Sequence, residues 1–326
     1  SDPDMGLEDG MLIVTHVDVT AQGYAADKIT TEAAGSVEHM LIALHKGRFT
    51  VGRATSTHIL DQKLVGTDVP AQYKRPRREG TVTVRTNGPS VGGVYIYRAD
   101  VPSGPAHSVV GQVVHGIELV KIAKQGDVLS LRVTPSRIDL LGLPVEEAKK
   151  VAADRKISLK IDVDQTDRIV VSQEPGTTLD VLTEGGAAVT TAPFDQVIDI
   201  MLDDARAPVS CDIFRHVTGL HEHDAGMMPA FFVFDDVYLF KPKIPTSVKI
   251  NPENCPAGEV PGAALAITND SRKGAGLVGV RLSANREFGP TSEPFESTNI
   301  IGHVIDTQKL KKVKERQTVY IREVKK

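Results

Sequence analysis

The sequence predicts a mainly β protein with some α, built as two β-barrels with a small α+β module between them. Three observations carry that reading. Short runs of alternating apolar and polar residues, the period-2 signal of half-buried strands, fill both ends of the chain. A set of strand signals from Gly80 to Val133 returns in the same order from Gly262 to Ile321. Between the two sets the texture changes to helix-then-strand, from Pro135 to Thr190.

The recurrence has four parts. Gly80-Thr-Val-Thr-Val-Arg-Thr-Asn87 matches Gly262-Ala-Ala-Leu-Ala-Ile-Thr-Asn269, a Gly-led strand ending in a Thr-Asn turn. Val94–Tyr97 matches Leu277–Leu282, and Val109-Val-Gly111 matches Ile300-Ile-Gly302. Val128–Leu131 matches Thr318–Ile321. Four matches in order, at a nearly constant offset, predict two copies of one domain.

In chain order, residues 1–10 are polar and read as a disordered or vector-derived lead, with the chain a piece of a longer protein. The first barrel is predicted over 11–136. It opens on a strand at Met11–Val19. A helix follows, capped by Thr30 or Thr31, with Val37, Met40, Leu41 and Leu44 at helical spacing and Gly47 ending it. Phe49–Val51 and Thr55–Leu60 are short strand-prone runs, and Gln72–Arg78 is a basic loop. The module spans 137–192: a helix from Val145 with Pro144 at its start, strands near 157–163 and 168–172, and a second short helix. The second barrel spans 193–326. Its signals are a strand at Gln196–Leu202, a helix at Ser210–Gly219, a β-prone run at Phe231–Phe240 and a basic C-terminal strand.

Composition excludes several function classes. A net charge of −4 makes no field for nucleic acid or an anionic membrane. Tryptophan is absent and aromatics are 5 %, too few for base-stacking platforms. No 18-residue apolar run marks a membrane helix. Two cysteines, Cys211 and Cys255, make neither a disulfide framework nor a CxxC metal site, and fit a reducing cytoplasm.

The repeated unit resembles the cyclophilin barrel. In the second copy the resemblance lies in Ile198–Leu202, Ala207-Pro208, Phe214-Arg215, Gly262–Asn269 and Ile300–Val304; in the first, in Ala33–Leu44, Gly80–Asn87 and Val109–Val120. It implies a groove that holds an extended peptide. A prolyl isomerase of this kind would carry Phe-His-Arg, a Gln-Gly-Gly turn and a Gln-Phe-Phe strand. Neither copy has them: Val94-Tyr-Ile96 and Val278-Gly-Val280 stand where Gln-Phe-Phe would fall, and Phe214-Arg-His216 lies on a helix. No catalytic residue is therefore assigned. The chain as a whole resembles the methanogenesis marker protein 3 family, through Ala54–Ile59, Arg78–Gly88, Val94–Arg98, Phe214–Leu220, Gly279–Leu282, Glu287–Thr291 and Val319–Val324. That resemblance implies a cytoplasmic, non-catalytic accessory protein of methanogenic archaea. Its implied partner is methyl-coenzyme M reductase or its activation machinery, with no nucleic acid or membrane partner. The alternatives are a prolyl isomerase and a metal or cofactor carrier.

The carrier reading rests on His216, His221, His223 and Asp224, with Met227 and Met228 nearby; imidazoles and a carboxylate at this spacing suit a divalent ion. The competing reading is a polar loop after a helix that ends in histidine. No other cofactor is expected. Cys211, near a helix start, is either an activated thiolate or a buried structural thiol. Asp203-Asp204 and Asp235-Asp236 are paired acids, but neighbours on a strand face opposite ways. Gly88–Gly93 is glycine-rich without a following helix and reads as a hairpin connection.

Overall fold

The structure, a computed structural model, describes residues 14–325, so the expected lead at 1–10 and the start of the predicted first strand lie outside it. Backbone contacts divide the described residues into two compact units, 14–138 with 175–186 and 139–174 with 187–325. The expected module, 137–192, is divided between them: residues 137–138 and 175–186 belong to the first unit and 139–174 and 187–192 to the second.

The first unit contains β1 (Val17–Ala21), β2 (Tyr24–Ala25), β3 (Lys28–Ile29), α1 (Ala34–Leu44), β4 (Arg48–Thr50), β5 (Arg53–Ala54), β6 (His58–Asp61), β7 (Thr81–Arg85), β8 (Val94–Tyr97), β9 (His107–His115), α2 (Ile117–Ile122) and β10 (Val128–Thr134). Eight strands form one curled sheet in the order β4-β10-β1-β9-β7-β8-β6-β5. Its two end strands are consecutive in the chain, and the link between them completes the curl. Val51 N–H donates to the Asp127 carbonyl at 2.8 Å, while Gly52 N–H donates to the Leu60 carbonyl at 2.9 Å. A Cβ at position 52 would sit 2.4 Å from Gln62 Oε1, so a larger residue there would have to displace the Gln62 side chain.

Helix α1 fills the curl with the residues its periodicity predicts: Val37, Met40, Leu41 and Leu44 are all buried beside Val82, Val84 and Ile96. Each such side chain contributes roughly 1.5–3 kcal/mol by leaving water. The expected threonine cap does not form. Ala33 is the N-cap and offers no side-chain acceptor; Gln72 Oε1 accepts the Ser36 N–H at 2.8 Å instead. On the same helix, buried Glu38 pairs with Arg137 at 2.9 Å and accepts the Thr178 N–H at 2.9 Å. This holds α4 (below) against α1.

The remaining elements are α3 (Val145–Asp154), β11 (Ser158–Ile161), β12 (Arg168–Glu174), α4 (Thr178–Glu184), β13 (Gly186–Pro193), β14 (Val197–Leu202), α5 (Pro208–Thr218), β15 (Ala225–Phe234), β16 (Val237–Phe240), β17 (Ala264–Thr268), β18 (Val278–Arg281), β19 (Thr298–Val304) and β20 (Thr318–Glu323). The three strands β11-β13-β12 make a small sheet. It packs through Ile169, Val171 and Ala192 on Val197 and Tyr320. The other seven strands close a barrel in the order β14-β19-β17-β18-β16-β15-β20. The run expected at Phe231–Phe240 is two strands, broken by a turn in which Asp235 has φ 49°.

Both sheets follow one pairing scheme. A first strand runs parallel to the last (β1 with β10, β14 with β20) and antiparallel to an aliphatic-aliphatic-Gly strand (β9, β19). That glycine has a steric cause. A Cβ on Gly111 would lie 2.9 Å from the Thr20 carbonyl oxygen, and one on Gly302 would lie 2.0 Å from that of Met201. Only a residue without a side chain lets the strands approach there. No helix among the described residues is long and apolar enough to cross a membrane.

Candidate functional site

The outward face of β6, β8, β7 and β9 carries a cluster of aromatic and polar side chains. Along β8 the side chains alternate: Val94 and Ile96 join the core, while Tyr95 and Tyr97 turn outward. Four rings gather there. Tyr95 and Tyr97 stack at 6.4 Å, His107 meets the Tyr95 ring edge-on at 4.8 Å, and His58 lies 5.1 Å from Tyr95. The Thr83 hydroxyl is 2.9 Å from His107 Nδ1. Arg77 crosses above the cluster, its guanidinium 5.1 Å from the Tyr97 ring and donating to the Tyr97 hydroxyl at 2.8 Å.

This face is closed. Arg77 and Val101 form a two-way backbone bridge, with N–H to carbonyl distances of 2.9 and 2.6 Å, and Val101 packs on Leu60, Tyr95 and Tyr97. Arg77 also donates to the Pro102 carbonyl at 2.7 Å. Beneath this cover Tyr97 is 2 % exposed. Electrostatics follow from the burial. Burial pushes the His107 imidazole down to about 3, and the positive charges of Arg77 and Arg85 act in the same direction. His58 is also lowered, by burial first and then by Arg53, Arg77 and Arg98. Burial raises the Tyr97 phenol, against the pull of Arg77. At neutral pH the His58, His107 and Tyr97 rings are therefore uncharged. A base this weak moves few protons at pH 7, and Arg77 over the cluster donates to the Tyr97 hydroxyl and the Pro102 carbonyl. The arrangement is a buried polar–aromatic cluster whose polar atoms pair with one another.

The matching face of the second barrel is barer. Gly279 and Arg281 are the outward residues of β18, and a Cβ on Gly279 would lie 2.8 Å from the Pro290 carbonyl oxygen and 2.9 Å from Thr291 Cα. The chain at Pro290-Thr291 therefore lies directly on the strand. Thr291 is buried, and its hydroxyl lacks a hydrogen-bond partner within the protein.

In the histidine loop, His221 and His223 share one carboxylate: His221 Nε2 lies 3.3 Å from Glu222 Oε1 and His223 Nε2 lies 3.9 Å from Glu222 Oε2. His216 and His221 stack at 4.4 Å, and their Nδ1 atoms face the carbonyls of Asp212 (2.9 Å) and Arg215 (3.3 Å). His223 Nδ1 meets the Asp139 carboxylate at 3.0 Å, and the Asp224 backbone carbonyl accepts the Glu323 N–H at 3.2 Å. Among the described residues, the metal-ligating atoms that do converge lie in the first unit. Cys211 is fully buried, its thiol donating to the Ile301 carbonyl, and burial pushes it up to about 12. That is the structural thiol, not the activated one. Burial likewise raises Cys255. The acid pairs are split: Asp204 binds Arg215 at 2.6 Å and Asp236 accepts the Ser283 N–H at 3.0 Å.

Sequence reasoning missed His58, Thr83, Arg77 and His107, which converge only through strand pairing. The available signal was Val94-Tyr-Ile-Tyr97, whose aromatic–aliphatic alternation marks a second apolar face.

Residues 198–324 match a family model described as "Putative peptidyl-prolyl cis-trans isomerase domain". A UPF0288 protein of Methanosarcina barkeri is 39 % identical over 99 % of this chain and 62 % of its own length. One from Methanopyrus kandleri is 35 % identical over 99 % of this chain and 63 % of its own length. A solved structure of a B. cereus protein aligns over 36 % of this chain and 33 % of its own, at 13 % identity and a TM-score of 0.28, too partial for a comparison of folds. The chain spans 60–63 % of the length of the curated relatives it matches. Along its full length, the chain is thus a homologue of the UPF0288 proteins of methanogenic archaea.

Proposed function

We propose that this chain is a non-catalytic accessory part of a larger cytoplasmic protein of methanogenic archaea. In this reading it acts on a protein partner during assembly or activation of methyl-coenzyme M reductase. The observation that carries the non-catalytic part is the closure of both outward faces, by the Arg77–Val101 bridge over Tyr97 and by Pro290 on Gly279. The partner is supported by the resemblance to a methanogenesis marker family and by relatives from methanogens.

The two barrels are proposed to descend from one duplicated domain. Their pairing orders agree, and so do two polar contacts outside the core. Asp18 faces Arg132 across the parallel strand pair as Asp199 faces Arg322. Gln72 accepts the N–H of Ser36 as Glu253 accepts that of Ser210. A duplicated fold that kept its scaffold without isomerase side chains serves as rigid surface.

A prolyl isomerase is the second reading, favoured by the description of the family matched at 198–324. It requires the cover on at least one face to open. The test of the accessory reading is affinity capture from a methanogen, with the full-length homologous protein tagged at its chromosomal locus. Co-purification of methyl-coenzyme M reductase subunits or their activating proteins is expected. Capture that repeatedly yields none of them contradicts the proposed partner.

A further inference from the structure

His16, Asp18 and His115 each place a ligand atom within 4.8 Å of the others'. Strand register builds this group. Asp18 on β1 lies opposite His115 on antiparallel β9 and opposite Arg132 on parallel β10. His16, two residues before Asp18, shares its outward face. His16 Nε2 is 3.2 Å and His115 Nδ1 is 3.7 Å from Asp18 Oδ2. Those distances bracket the edge of a tetrahedron of ligands around zinc, about 3.3 Å for metal–ligand bonds of ~2.0–2.1 Å.

The tautomer is suitable as well. His16 Nδ1 lies 3.1 Å from the Thr15 hydroxyl. Donation of the Nδ1 proton to that oxygen leaves the Nε2 lone pair facing Asp18, as a metal ligand needs. A positive group already occupies the focus. Arg132 donates to both Asp18 oxygens, at 2.9 and 3.4 Å, and its guanidinium also contacts His16 Nε2. Its side chain is 67 % exposed, so it is free to turn into solvent.

The second barrel acts as an internal control. There the same ion pair, Asp199 with Arg322 at 2.8 and 3.2 Å, stands without histidine. Val197 is two residues before the aspartate, and Ile305 donates its N–H to the Asp199 carbonyl. A buried Lys309 supplies a second cation at 3.5 Å. The aspartate–arginine pair thus needs no imidazole, and the two histidines are an addition of the first barrel.

We propose that His16 Nε2, Asp18 Oδ2 and His115 Nδ1 form a site for a divalent first-row metal ion of the zinc class, bound by displacing Arg132. Remaining coordination positions go to water or to a donor from a partner.

Cobalt(II) is the probe: the chelator-treated chain is titrated while visible d–d absorption is followed, and zinc(II) then competes. One saturable equivalent is expected. His16→Gln and His115→Gln, which keep the surface polar, each weaken binding at least about tenfold. Arg132→Ala removes the competing cation and tightens binding. His221→Ala/His223→Ala leaves it unchanged. Circular dichroism and melting confirm that each variant is folded. Failure of the wild type to saturate overturns the proposal. So does binding that survives His16→Gln/His115→Gln, is lost in His221→Ala/His223→Ala, or is not strengthened by Arg132→Ala.

Discussion

Glu253 and Ser210 form a helix cap from a distant loop. The Ser210 N–H donates to Glu253 Oε2 at 2.7 Å, and the Val209 N–H donates to Oε1 at 3.1 Å. Helix α5 starts at Pro208 with no cap from its own neighbours, so this carboxylate satisfies donors otherwise orphaned at the N-terminus. Glu253→Ala is expected to cost about 1–2 kcal/mol in urea unfolding at pH 7. Burial alone would raise the Glu253 carboxyl, but the hydrogen bonds from Ser210 and Val209 outweigh it and hold the group below its ordinary 4.5. A carboxyl lowered in the folded state stabilises above its unfolded value and loses that contribution as pH falls through its folded value. The gap between wild type and variant should therefore close below about pH 4.5. A gap that stays constant to pH 3 would show that the charge contributes nothing.

Buried His107 gives a second pH signature. Its folded value of about 3 lies below the ordinary 6.5, so protonation favours unfolding. The neutral ring contributes stability that is complete above 6.5 and is lost as pH falls toward 3. In proton NMR the His107 ring should not titrate between pH 8 and about 4. Thr83→Val removes its 2.9 Å partner and is expected to cost about 1–2 kcal/mol. A His107 midpoint near 6.5 would mean that the ring reaches solvent and the face is open.

Arg215 on α5 joins two carboxylates, Asp204 at 2.6 Å and Glu323 at 2.7 Å, with the Glu323 side chain only 8 % exposed. Arg215→Met strands that buried acid and should cost about 3 kcal/mol, read as a lower melting midpoint. The double change Arg215→Met/Glu323→Met should recover much of it, since replacing both partners leaves no unpaired charge. No recovery would place the loss in helix packing.

Much of the fold was legible because its signals are local. Helical spacing at Val37, Met40, Leu41 and Leu44 marked α1, and Pro144 marked the start of α3. The Val-Val-Gly and Ile-Ile-Gly elements located β9 and β19 before their steric reason was visible. What failed was anything decided by distant chain: the α1 start, where Gln72 replaces a local threonine, and the Asp235 turn inside a uniformly β-prone run. The candidate sites were illegible for the same reason. His58, Tyr95 and His107 lie far apart in sequence and meet through register, as do His16 and His115. In the loop that is close in sequence, His216 stacks on His221, and His221 and His223 share Glu222.

The central claim is that this scaffold holds rather than transforms, and a prolyl cis–trans isomerisation assay tests it most directly. Uncatalysed exchange takes roughly tens to hundreds of seconds at 25 °C, so modest catalysis is visible. Across a panel of Xaa-Pro peptides, the chain at micromolar concentration should leave the rate at its uncatalysed value, and Arg77→Ala should change nothing. Acceleration proportional to protein concentration, abolished by a change at Arg77 or Tyr97 or in the Pro290-Thr291 cover, would contradict the account.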